Sequence, residues 1–404
     1  MKEKVLFSRY QVFMTALLAL IQFCVVLDFM VLSPLGTFVM KDLSLQPNQF
    51  AVVVSAYAFS AFLSALLTAG FADKFDRKRL LVFFFSGFIV GTLFCALSNS
   101  YETLLAARVF TGLFGGVMSS ISYAIITDLY VVNQRGRVMG FIQMGFGVSQ
   151  IVGIPLGLFL TNWANWHLPF YVIVGFAAVI LVGTVIFMRP ITAHLALAKE
   201  KNAFAHLVST IKNRRYITGF LATTLLATGG FMLMPFGSDF AVQNLKLTTD
   251  ELPYMYIVTG IFTFAAGPLA GLISDRFGRM NLFAFGTIIS IGIVLIYTQL
   301  GPTPLSLVIL LNVILFIGIT SRIVPAQAMM TSVPKPEDRG AFMSINSAVQ
   351  QLSGGIASFI AGTIVYKQAN GEIGNYPILG IVVTCSMIIA FIMMRRLHKL
   401  LNKD

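Results

Sequence analysis

The chain has 404 residues, of which only 11% are charged, against roughly a quarter in a soluble domain, so it cannot coat a water-facing surface. With 57% hydrophobic residues and a mean hydropathy of +0.84, a membrane protein is the class left open. The net charge of +12 would suit nucleic acid, but Lys and Arg gather in alternate hydrophilic loops, as membrane orientation requires.

Taken in order, twelve apolar runs occupy 11–38, 50–72, 80–97, 103–127, 137–161, 168–188, 216–240, 254–273, 281–300, 305–330, 340–365 and 376–394. Each is long enough to cross about 30 Å of hydrocarbon as a helix. Backbone groups in lipid must pair within the segment, so all twelve are expected to be helical. The first run is too long for a cleaved signal peptide and is expected to be a retained span.

With the N-terminus inside, 23 of the 28 Lys and Arg fall in inner segments and three (Lys41, Lys246, Lys367) in outer loops. That ratio places both termini in the cytoplasm. The other two, Arg108 and Arg322, lie within spans. The inner segment 189–215 separates an N-terminal unit, 1–188, from a C-terminal unit, 216–404; its basic run Lys212-Asn213-Arg214-Arg215 suits a lipid-facing anchor.

Two charged turns mark an internal repeat. Ala69-Gly70-Phe71-Ala72-Asp73-Lys74-Phe75-Asp76-Arg77 aligns with Gly271-Leu272-Ile273-Ser274-Asp275-Arg276-Phe277-Gly278-Arg279 at an offset of 202, half the chain. Phe29-Met30 matches Phe231-Met232 at the same offset. The sequence therefore predicts an all-α membrane protein of twelve helices in two six-helix halves, related by a pseudo-two-fold axis, with a substrate site between them.

These residues resemble the major facilitator superfamily. Its signature between spans two and three, G-x-x-x-D-[RK]-x-G-[RK], is met by the second turn; the first departs at Ala69 and Asp76. Arg108-Val-Phe-Thr-Gly112 resembles the span-four signature, and Asn165-Trp166-His167-Leu168-Pro169-Phe170 the start of span six, with His167 in place of Arg. The twelve-span drug:proton antiporters look most similar, although Gly147, Gly153, Pro155 and Gly157 depart from the spacing of their span-five signature. The resemblance implies that Asp73 and Arg77 latch the halves in the outward-facing state. Arg77 would pair with Asp128, and Asp73 would cap span eleven near Gly340 and Ala341; Asp275 and Arg279 are their repeat counterparts. Asp76 adds a carboxylate that could compete for Arg77.

Asp28 and Arg108 are the expected proton-coupling pair. A carboxylate at the depth of Asp28 carries an insertion cost of about 2.5–3.5 kcal/mol and needs a partner, water or a proton. Arg108 enters span four at a similar depth, above a one-face stripe of Gly112, Gly115, Ser119 and Ser122, which either packs closely or walls a cavity. Protonation of Asp28 would free Arg108; the alternative is a fixed salt bridge. Arg322 has no counterpart in span four and suits an anionic substrate or a snorkelling structural role. Gln143, Gln150 and Gln351 are candidate cavity amides, with Tyr57 and Tyr123 as weaker candidates. Asp239 is expected to be a solvated helix end, Trp163 and Trp166 an outer interface belt, and Cys24, Cys95 and Cys385 small buried hydrophobes.

No phosphate loop, serine triad or metal constellation is present, so neither enzymatic activity nor a cofactor or metal is expected. The expected function is secondary active transport by alternating access: proton-coupled efflux of a small amphipathic compound or drug from the cell (inner) membrane, by a monomer whose partners are substrate, protons and lipid. The alternatives are a proton- or sodium-coupled metabolite symporter, a lipid or lysolipid transporter, and a non-transporting receptor.

Overall fold

The computed structural model describes residues 7–69, 75–192, 195, 209–335 and 339–401. They form α1 (Arg9–Val31), α2 (Gly36–Asp42), α3 (Pro47–Ala69), α4 (Arg77–Leu97), α5 (Tyr101–Gly115), α6 (Met118–Leu129), α7 (Val132–Val148), a π turn (Ser149–Gly153), α8 (Ile154–Trp163) and α9 (Leu168–Phe187). The second stretch holds α10 (Arg214–Leu233), α11 (Gly237–Gln243), α12 (Leu252–Phe277), α13 (Arg279–Tyr297), α14 (Leu305–Met330), α15 (Arg339–Ile364) and α16 (Tyr376–Leu401). A two-residue ribbon, β1 (Tyr366–Lys367) against β2 (Ile373–Gly374), precedes α16.

Among the described residues, ten helical segments are long and apolar enough to cross a membrane. The stretches read as spans five and eleven are continuous helix over 132–163 and 339–364 but fall outside that set. They carry amides, glycines and basic residues at their charged ends.

Packing partners repeat between the two stretches. In the first, α3 and α4 pack on α5, α1 on α7, and α4 on α9. In the second, α12 and α13 pack on α14, α10 on α15, and α13 on α16. The most extensive contacts between the stretches are α3 with α15 and α8 with α12.

The hydrophobic cores differ at the two ends. At the end away from the charged turns, one cluster merges both stretches, with Phe50, Leu104 and Phe170 packed alongside Phe236, Phe240 and Tyr376. Toward the charged turns, the first stretch builds its own core around Phe85, Phe88 and Ile125, and the second another around Phe220, Phe283 and Phe342. The ends of the stretches that share a core also interlock by hydrogen bonds. Ser238 Oγ donates to the Ser33 carbonyl at 3.2 Å, and Asn162 Nδ2 to that of Thr249 at 2.9 Å.

The charged turns take different backbone paths. Gly278 has φ +94°, a conformation that favours glycine, and links α12 directly to α13. At the matching position Asp76 has φ −56° and caps α4, its Oδ1 accepting from Lys78 N at 3.0 Å and from Ile191 N at 2.8 Å. Its carboxylate is thus engaged by backbone amides and anchors the 189–192 segment rather than competing for Arg77.

Candidate functional site

α1 brings Asp28 and α5 brings Arg108 to one level inside the first stretch. Both side chains have 0% exposure, and Arg108 Nη1 donates to Asp28 Oδ2 at 2.9 Å. Thr92, on α4, donates from Oγ1 to Asp28 Oδ1 at 3.1 Å. The Tyr57 ring, from α3, lies under the guanidinium, 4.6 Å from Cζ to the ring centre. Arg108 Nε and Nη2 are buried with no acceptor among the described residues. The ion pair is therefore buried, neutral overall and, among the described residues, incompletely satisfied, an arrangement that a proton on Asp28 would weaken.

The glycine stripe beside Arg108 is a packing surface. A Cβ on Gly112 would strike Ser60 Oγ and approach the Tyr57 carbonyl to 2.5 Å; one on Gly115 would lie 2.5 Å from the Tyr57 hydroxyl. These absent side chains let α5 press Tyr57 against the ion pair. Farther along, Ser119 Oγ donates to Gln22 Oε1 at 3.1 Å.

Tyr57 links the pair to the contact between the two stretches. Its ring centre is 5.1 Å from that of Phe29, the residue after Asp28. Phe29 in turn lies 5.8 Å from Phe231, its own repeat counterpart. The backbone carbonyl of Phe231 accepts from Ser358 Oγ at 3.0 Å.

The remaining candidates are scattered. Gln150 sits in the π turn, partly buried, with Nε2 3.6 Å from Met30 Sδ. Gln351 is half-buried on α15, and Tyr123 packs beside the inner core of the first stretch. The Gln143 side chain lies outside the described residues. Arg322 is only 5% exposed, with Nε and Nη2 lacking an acceptor among the described residues and Cζ 5.7 Å from the Phe283 ring centre.

At the charged turns, Arg77 Nε meets Asp128 Oδ2 at 3.0 Å, joining α4 to the end of α6. Arg135 reinforces the same end, donating to the carbonyls of Thr127 and Tyr130 at 2.8 and 3.0 Å. Arg279 donates to the Ala328 carbonyl at 3.4 Å, whereas Asp275 is exposed with no ion pair among the described residues. Asp73 and its expected cap on α15 lie outside the described residues.

Three expectations are corrected. Asp239 is buried, because α11 turns it inward, rather than solvated. Trp163 is 76% exposed, as an interface residue can be, but Trp166 is buried and donates from Nε1 to Asp42 Oδ2 at 2.8 Å. Cys24 and Cys95 are buried, but Cys385 is on an exposed face of α16. Sequence reasoning also missed Thr92. Its hydroxyl is shared with the Phe88 carbonyl four residues earlier, and no periodic signal marks it.

Chain-wide comparisons agree with this architecture. YwfA, an uncharacterized MFS-type transporter of Bacillus subtilis (strain 168), is 24% identical over 352 residues, covering 85% of this chain and 84% of that one. A probable sugar efflux transporter of Helicobacter pylori (strain G27) is 23% identical over 335 residues, covering 83% of each. A crystal structure of a bacterial homologue of the human lysosomal transporter Spinster, inward-facing and occupied, superposes with a TM-score of 0.74 at 16% identity, covering 98% of both chains. The model of the Major Facilitator Superfamily matches residues 18–358 and, separately, 220–400, and the chain belongs to that family of multi-pass membrane transporters.

Proposed function

We propose that this protein exports a small amphipathic compound in exchange for protons, by rocking two six-helix halves, 1–188 and 216–404, about a midplane site. The repeated packing partners support the two halves, and the helical stretches 132–163 and 339–364 supply the fifth and eleventh of twelve spans. The loop charges support an inner-membrane protein with both termini cytoplasmic. In that frame the shared core seals the outer end and the separate cores flank an inward-facing route.

The observation that carries the reading is the wholly buried Asp28–Arg108 pair, joined through Tyr57 and Phe29 to Phe231 of the other half. Protonating Asp28 releases the guanidinium, which loosens the Tyr57 platform and shifts the seam between the halves. Arg77–Asp128 and the Asp73, Asp275 and Arg279 positions serve as the cytoplasmic latch, while Gln143, Gln150, Gln351 and Tyr123 are assigned to substrate contact. The efflux name of the Helicobacter relative supports export over import.

Proteoliposomes preloaded with a panel of fluorescent amphipathic compounds test this. An imposed pH gradient should drive movement in the wild type, and Asp28→Asn should retain exchange of the same compound while losing the pH drive. Unchanged proton-driven movement in Asp28→Asn would reject the coupling role, and drive by a sodium gradient alone would favour the symporter.

A further inference from the structure

We infer that Arg322 is an oxyanion site, taking the carboxylate or phosphate of an amphipathic ligand side-on through Nε and Nη2; the inference deepens the transport reading by making the substrate class anionic.

The two nitrogens without an acceptor are the pair that forms one edge of the guanidinium, Nε and Nη2. Their parallel N–H bonds match the two oxygens of a carboxylate or phosphate. Arg322 lies eight residues before Met330, the end of α14, or about 12 Å along the axis. It is 95% shielded, deep within a span. A buried guanidinium without a counter-charge is strongly disfavoured, so it is kept where an anion visits.

No acid of the second stretch meets that need among the described residues. Asp250 and Asp275 are exposed, Glu251 caps its own turn at Thr248, Glu372 pairs with Lys246, and Asp239 lies at the opposite end on α11. The Phe283 ring offers only a cation–π contact. Beside it the α13–α14 seam is tight, with a Cβ on Gly286 falling 2.6 Å from the Gly318 carbonyl. The contrast with Arg108 is direct: that residue has the same free edge, but its charge is already met by Asp28.

An apolar groove of about 520 Å³ between α12, α13 and α14, with Phe262, Phe277 and Phe285 in its walls, reaches Ser321, the neighbouring residue. A lipid headgroup and a soluble compound therefore present the same chemistry at this position, and the test separates them.

Thermal unfolding of the purified protein in neutral detergent is the measurement. The probes are 2-naphthoate against its neutral amide, and dioctanoyl phosphatidate against dioctanoylglycerol. At tenfold excess over Kd the anions should raise the wild-type Tm by about 2 °C, and the neutral partners should not. Arg322→Gln should weaken the anion response about tenfold or more, and Arg322→Lys should weaken it less. A response to naphthoate identifies a soluble source, and one to phosphatidate alone a lipid source; both support the oxyanion site. Equal response to the neutral partners, or an anion response that survives Arg322→Gln, would overturn it. Without ligand, Arg322→Gln should be at least as stable as the wild type; a large loss restored by Arg322→Lys would mark a structural cation and also overturn it. Anion stabilisation with no solute movement in the proteoliposome assay would remove transport but leave the site standing.

Discussion

Phe29 and Phe231 occupy the same position in two repeats 202 residues apart, and their rings meet at a tilt of 47° with centres 5.8 Å apart where the stretches join. One of them follows Asp28; the other follows Gly230, so the ion pair has no copy in the second half. A symmetric seam is thus attached to an asymmetric charge site. In the proposed transport cycle, this asymmetry lets a single proton act on one side of the joint between the two stretches.

Removing one member of a buried pair leaves the other uncompensated. Asp28→Ala should destabilise the protein by about 3–5 kcal/mol, and Asp28→Asn by less, because an amide oxygen can still accept from Arg108 and Thr92. In a double-mutant cycle with Arg108→Gln, the two losses should be strongly non-additive. Additive losses in thermal unfolding would show that the two residues do not depend on each other.

Glycine 112 gives way to nothing. Gly112→Ala places a methyl group against Ser60 Oγ and 2.5 Å from the Tyr57 carbonyl, both on α3. Overpacking of this kind should lower stability by about 1–3 kcal/mol, measured by unfolding in detergent. Gly140→Ala meets open space and is its control.

The proposed outer seal can be wedged in the same way. A Cβ on Gly362 of α15 would collide with the Ala51 methyl of α3. Gly362→Leu should hold the outer end apart, so that a cysteine placed at Ala51 reacts with a membrane-impermeant thiol reagent from outside. Transport should fall while insertion remains normal. Protection equal to that in the Gly362 parent would contradict the seal.

Arg77→Ala removes the 3.0 Å contact with Asp128. Transport should fall several-fold with normal membrane yield, and Asp128→Asn should give the same defect without adding to it. Wild-type rates in both variants would dismiss the latch.

Lys246 Nζ contacts Glu372 Oε1 at 2.9 Å between exposed loops, and this hydrogen bond holds the Glu372 carboxyl below its usual range. Its contribution is therefore present above the pH at which an unfolded Glu titrates and is lost as pH falls through the lowered folded value. The melting-temperature difference between wild type and Glu372→Gln should be small at neutral pH, vanish in strong acid and shrink in high salt.

Membrane residence, the helical spans and the level of Asp28 and Arg108 were legible in the chain alone. Hydropathy is a local sum, and a charge placed deep in an apolar run must find a partner wherever the fold supplies one. The family was legible too, from the charged turns and the Arg108–Gly112 spacing. Which face each helix turns inward was not. Lipid is as apolar as a neighbouring helix, so an apolar pattern does not distinguish core from bilayer. Only tertiary packing decided that Gly112 and Gly115 seat Tyr57 instead of walling a cavity, that Thr92 supports Asp28, and that Trp166 and Asp239 are buried. Only packing, likewise, left Nε and Nη2 of Arg322 without a partner among the described residues while giving Arg108 one in Asp28. Such outcomes depend on contacts between residues far apart in sequence, and those contacts exist only once the helices have docked.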